Sequence, residues 1–164
     1  MPTYIYTEGG AVISDCLSKA NLSVIKKTMK AADIIAANAT LLAAGKITAA
    51  DVIRAITVPP KFIALFTAID VRVAGTAGNT INVGIAGGDE FQDGVDIVTI
   101  AVVATVLGDD YGSAVLFPKV FTATDTIDVT YVADEIVGEF DLYVFGIDLN
   151  SVASQQNPAA VTAA

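Results

Sequence analysis

Residues 61–74 read Lys61-Phe62-Ile63-Ala64-Leu65-Phe66-Thr67-Ala68-Ile69-Asp70-Val71-Arg72-Val73-Ala74, and this stretch decides the fold class. Ile63, Leu65, Ile69, Val71 and Val73 recur at every second position, interrupted by Thr67, while Asp70 and Arg72 take the alternate positions. A period of two is the mark of a strand with one face buried. Read this way, Phe62 and Phe66 share the face opposite Ile63 and Leu65. That face then needs a cover of its own, from the same monomer, the N-terminal segment or a neighbouring subunit. Phe62 and Phe66 are therefore candidate partner-binding residues.

The same period extends outward. Pro59-Pro60 ends a preceding strand, Val52 to Val58, because neither proline can donate a ladder hydrogen bond. Ala77-Gly78-Asn79 reads as a turn into Thr80 to Ile85. Gly87-Gly88 and Gln92-Asp93-Gly94 mark a loop. Ile97 to Leu107 is apolar on both faces and reads as a central or partner-covered strand. Ala114 to Phe121, Thr126 to Val132 and Glu139 to Leu149 complete the series. Seven or so short strands with Gly/Asp/Asn turns predict an all-β fold, an antiparallel β-sandwich of jelly-roll type.

Residues 1–50 predict an N-terminal arm, 51–149 the sandwich domain and 150–164 a flexible C-terminal tail of small, uncharged residues. Within the arm two readings stand. Asn21 or Ser23 could cap a helix ending at Gly45, which the alanines favour. Alternatively, 21–44 is extended, because its apolar positions lack a 3.6-residue period. Ala31-Ala32-Asp33-Ile34-Ile35 and Ala49-Ala50-Asp51-Val52-Ile53 share a small-small-Asp-apolar phrase, read as common turn chemistry.

The chain has 164 residues, 54% hydrophobic, with one Cys, no His and no Trp. Its hydropathy comes from Ala, Val and Ile in broken runs, and no run reaches the roughly 20 apolar residues of a membrane helix. No secretory leader is visible at Met1 to Gly10. Charge divides the chain. Residues 1–72 hold eight Lys or Arg against five acids, whereas residues 73–164 hold Lys119 against thirteen. The acidic remainder argues against nucleic acid, which needs clustered cations. The basic part, with Lys26, Lys27 and Lys30 close together, is a candidate surface for an acidic partner.

Catalytic chemistry finds little support. Cys16 has no His to activate it, and Lys19 is a weak substitute. No serine has a His partner, and no G-x-S-x-G, P-loop or G-x-G-x-x-G occurs. The chain reads as non-enzymatic and without a cofactor. The stretch Asp89 to Asp96 places four carboxylates in eight residues, so Asp89, Asp93 and Asp96 are candidate Ca²⁺ ligands. The spacing of a calcium loop is absent, and a solvated acidic loop is the simpler reading. Asp109-Asp110 and Asp134-Glu135 are weaker clusters. A sugar-binding module would want stacking aromatics, and Trp is absent.

The phrase Thr48-Ala49-Ala50-Asp51-Val52-Ile53-Arg54-Ala55-Ile56-Thr57-Val58-Pro59 resembles a stretch in small virion proteins of tailed bacteriophages. The Gly/Thr/Asn-rich run Gly75 to Gly88, the loop Gly88 to Asp96, the phrase Ala123-Thr124-Asp125-Thr126-Ile127-Asp128-Val129-Thr130 and the strand Phe140 to Leu149 continue it. The resemblance covers about residues 48–149. It implies a capsid decoration or head-fibre type protein. Such a protein is made in the bacterial cytoplasm, sits on the virion surface and binds the major capsid protein or other virion proteins. It also associates with itself, often as a trimer. A carbohydrate- or calcium-binding sandwich and a tail or baseplate component are the alternatives.

Overall fold

A computed structural model describes residues 4–6, 22–104 and 118–150. Ten strands and two short helices are present among them: β1 (Tyr4–Tyr6), β2 (Leu22–Lys30), α1 (Ala31–Ala37), α2 (Ala39–Ala44), β3 (Val52–Val58), β4 (Phe62–Val73), β5 (Thr80–Gly84), β6 (Gln92–Asp96), β7 (Val102–Ala104), β8 (Lys119–Phe121), β9 (Asp125–Tyr131) and β10 (Glu139–Asp148). One sheet runs β1-β2-β10-β4-β7, with β8 also on β4, and the other runs β3-β9-β5-β6. All pairings are antiparallel.

The pairing has a simple rule. β2 pairs with β10, β3 with β9, β4 with β7 and β5 with β6. Early strands thus pair with late ones in reverse order, as in a long hairpin wrapped around a common core. That is jelly-roll topology. The sandwich expected from the strand pattern is the fold observed.

Residues 22–50 resolve the helix-or-extended question by containing both. Val24, Ile25 and Thr28 are β-branched and stiff at χ1, and Ile25 and Met29 are buried. β2 runs in register with β10 from Leu22↔Ile147 to Lys30↔Glu139. Residues 22–30, assigned to an arm from sequence, are therefore a full strand of the sandwich. The Ala-rich segment that follows is helical. Asn38 breaks it and caps α2, its Oδ1 accepting from Thr40 N at 2.9 Å and Leu41 N at 3.3 Å. Gly45 ends α2 with φ 69°, as the sequence implies. Cys16 and Lys19, Asp109-Asp110 and the tail from 151 lie outside the described residues.

β4 departs from simple alternation. Phe145 pairs with Phe66 and Gly146 with Ala64, which leaves Leu65 as a bulge. Before it, Phe62 and Ala64 point into the core; after it, Thr67, Ile69 and Val71 do. The extra residue exchanges the two faces. Two corrections follow: Ile63 and Leu65 do not share the core face with Ile69, and Phe62 and Phe66 lie on opposite faces. Thr67, the polar interruption in the pattern, accepts a 2.9 Å bond from Gln92 Nε2 across the two sheets. A third correction concerns Ile97 to Leu107. Its described part is a buried Ile97, an irregular stretch and the short β7 beside β4, not one central strand. Only Lys119–Phe121 of the expected strand 114–121 is described as strand.

One end of the sandwich is held by Glu135, between β9 and β10. It is fully buried. Its carboxylate accepts from the amides of Thr76, Ile136, Val137 and Gly138, from Thr76 Oγ1 and from Asn79 Nδ2, at 2.8–3.2 Å. Its backbone exchanges two 2.9 Å bonds with Ile47. Gly138 O accepts from Ala31 N, which ties the start of α1 to the same knot. Burial pushes the Glu135 carboxyl up, but the converging donors outweigh it and hold it at about 2.

Two expectations follow. Glu135→Gln places an NH₂ among donors and should cost about 2–4 kcal/mol at pH 7. Because the folded value of about 2 lies below the ordinary 4.5, the Glu135 contribution is complete above pH 4.5 and is lost as pH falls through 2. Urea unfolding from pH 7 to pH 2 should show a flatter acid limb in the variant, and an unchanged limb would refute the assignment. Separately, a Cβ at Gly146 would overlap the Phe62 ring. Gly146→Ala should lose about 1–3 kcal/mol by thermal melting, part of it restored when Phe62→Leu is added.

Candidate protein-interaction site

Two surfaces combine exposure with chemistry. The first is the outer face of the six-stranded sheet. Register places side chains across β2, β10, β4 and β8 in rows. Leu22, Ile147, Ile63 and Val120 form one row, and Val24, Phe145 and Phe66 the next. Leu22 and Val120 are exposed, the others half-buried. Phe66 stacks on Phe145 with ring centroids 4.3 Å apart and planes 13° from parallel. This half of the face is apolar.

The other half is charged. Asp141 lies beneath Lys26, Arg72 and Thr28. Its Oδ2 is 2.8 Å from Lys26 Nζ and 2.6 Å from Arg72 NH2, and its Oδ1 accepts from Thr28 Oγ1 at 2.6 Å. Arg72 Nε also meets Asp70 at 3.0 Å. Burial pushes the Asp141 carboxyl up, but the bond from Lys26 and the surrounding cations hold it below the usual range. The Lys26 ammonium is raised, chiefly by its bond to Asp141, and it sits 5.5 Å from the Tyr143 ring centroid.

The second surface is a cleft of about 900 Å³ between β2, the two helices and β3. Lys26, Lys27, Lys30 and Arg54 line it, with Asp33 as the one acid among the described lining residues. Ile34, Leu41, Val52 and Ile53 supply apolar wall. Asp128 lies opposite Arg54 in register, with no ion pair between them. β3 ends its sheet and pairs with β9 alone among the described strands.

The sequence candidates divide accordingly. Lys26, Lys27 and Lys30 are brought together at the cleft, although Lys26 is engaged by Asp141. Phe66 lies on the apolar outer face. Phe62 does not join it: at 1% exposure it is a core residue, so its place as a partner-binding candidate is withdrawn. Asp96 caps its own turn, accepting from Val98 N at 2.7 Å and Thr99 Oγ1 at 2.9 Å. Among the described residues no three His, Cys, Asp or Glu are arranged to hold a metal, and Asp89, Asp93 and Asp96 fall within that statement. Arg54 and Asp141 escaped the sequence reading as site residues, and Glu135 entered it only as half of a weak acidic pair. The spacing Glu135-x-x-Gly138 in a turn was the available signal for a carboxylate collecting backbone amides.

Comparison with known proteins bears on the fold. A chain from the capsid of Ralstonia phage GP4 superposes with TM-score 0.55 at 14% identity, covering 77% of this chain and 84% of that one. The two chains share a fold. Chains from the acid-stable capsid of Helicobacter pylori bacteriophage KHP30 and from the cyanophage Pam1 capsid give TM-scores of 0.46 and 0.44 at 10% and 19% identity. They cover 76% and 77% of this chain, and 86% and 84% of their own lengths. No family model and no curated protein sequence matches the chain.

Asp141→Asn should weaken the ionic knot and cost about 1–3 kcal/mol at pH 7. The lowered carboxyl makes its contribution above the ordinary aspartate range and loses it as pH falls, so the variant should differ least from the parent in acid. Chemical denaturation at two pH values checks this, and an equal deficit at both would count against it.

Proposed function

We propose that this chain is a non-enzymatic structural component of a bacteriophage virion, which binds the capsid surface and associates with copies of itself. The observation that carries the reading is the jelly-roll fold it shares with a chain of the Ralstonia phage GP4 capsid. The resemblance in the phrases at 48–59 and 123–130 agrees with that fold. A fold alone does not assign a function, so the surface must supply the rest.

The apolar half of the outer face supplies it. Contiguous exposed apolar surface rimmed by polar groups marks a protein contact. Here Leu22, Val120, Phe66 and Phe145 are the apolar part and the Asp141 knot is the rim. Stacked aromatics are effective anchors because they bury much area with few rotatable bonds. In this reading the major capsid protein is the main partner, the role is decoration and stabilisation of the shell, and a trimer is the expected assembly.

The test uses the full chain and capsids of the source phage prepared without it. On a density gradient the chain should sediment with capsids, and Phe66→Ser with Phe145→Ser should cut binding by about tenfold or more. A chain that stays at the top of the gradient overturns the reading. Light scattering of the free protein should give a multiple of 16.8 kDa, three being expected, and a monomer at all concentrations would refute self-association.

A further inference from the structure

We propose that the cleft between β2, the two helices and β3 binds an extended acidic segment of another protein, which adds as a strand to the open edge of β3. The inference goes beyond the virion reading and does not depend on it.

Charge selects the ligand class first. Lys27, Lys30 and Arg54 line the cleft against Asp33, in a chain whose net charge is −9. Lys30 and Arg54 are both exposed, and neither makes an ion pair with a described residue. A cationic cleft on an acidic protein focuses attraction on one place, and an anionic ligand is steered there.

The apolar wall narrows the class. Ile34, Leu41 and Ile53 offer contacts to aliphatic side chains, and Val52 is exposed at the mouth. No aromatic residue is among the described lining, so nucleobases have no stacking platform. An acidic peptide with small apolar residues satisfies both walls.

The backbone supplies the geometry. Among the described strands β3 has no partner on the edge away from β9, and an edge strand is a template for another strand. No proline interrupts Val52–Val58, and its bulge at Ala55 leaves Val52, Ile53 and Arg54 in regular register. A strand added there alternates its side chains, so every second residue meets one wall. Carboxylates at alternate positions would face Lys30 and Arg54, with apolar side chains between.

The probe is a capped, fluorescein-labelled peptide of alternating Asp and Val, with an Asn-Val peptide as its neutral control. Fluorescence anisotropy with the full chain should show saturable binding of the Asp-Val peptide, about tenfold or more tighter than the control and weaker at high salt. Hydrogen exchange should slow at β3 when it is bound. The double variant Lys30→Glu, Arg54→Glu should lose that binding and instead take up a Lys-Val peptide. This gain would show that the variant is folded. Absence of saturable binding overturns the proposal, as does equal binding of the neutral peptide or undiminished binding by the double variant. Tighter binding of oleate or of single-stranded DNA at the same site would also overturn it, in favour of that ligand.

Discussion

The bulge at Leu65 is the constraint on which the rest of the molecule depends. β4 lies between β10 and β7 in the six-stranded sheet, so the direction of its side chains sets what is core and what is surface. With an even register throughout, Phe62 and Phe66 would share one face. The extra residue sends Phe62 inward and Phe66 outward. The inward ring takes the space beside Gly146, where no side chain can stand. The outward ring stacks on Phe145 and anchors the apolar half of the outer face. One inserted residue therefore links the packing of the core to the composition of the proposed contact surface.

The legibility of these features followed their physical range. The period-two alternation of β3, β4, β5, β9 and β10 is local, and all five appear near their expected bounds. Gly45 as a helix stop is equally local. The bulge was hidden, because it is defined by the partner strand and Leu65 looks like any other strand residue. β2 was hidden for a related reason. Lys26, Lys27 and Lys30 dilute its alternation, and what makes it a strand is nine residues of pairing with β10, more than a hundred positions later. Glu135 read as part of a weak acidic pair because its partners, Thr76 and Asn79, are remote in sequence. The basic cluster was visible, but not the cleft, since Arg54 and Leu41 reach it only through folding.

The charge division takes on a structural meaning. The mildly basic first part of the chain does not form a separate arm in its described portion. Lys26 and Arg72 neutralise the buried Asp141, Lys46 pairs with Asp134, and Lys30 and Arg54 are exposed at the cleft. The acidic remainder contributes buried, fully bonded groups such as Glu135 as well as surface charge. Net charge alone does not distinguish these roles. Burial and hydrogen bonding do, because a desolvated carboxylate must be partnered while an exposed one needs nothing.

A cryo-electron reconstruction of the virion proposed to carry this chain is the decisive measurement. Density for the sandwich is expected on the capsid, with the two rows carrying Leu22, Val120, Phe145 and Phe66 buried against a neighbouring protein. Particles whose capsids lack the chain, or in which those rows face solvent, would contradict it.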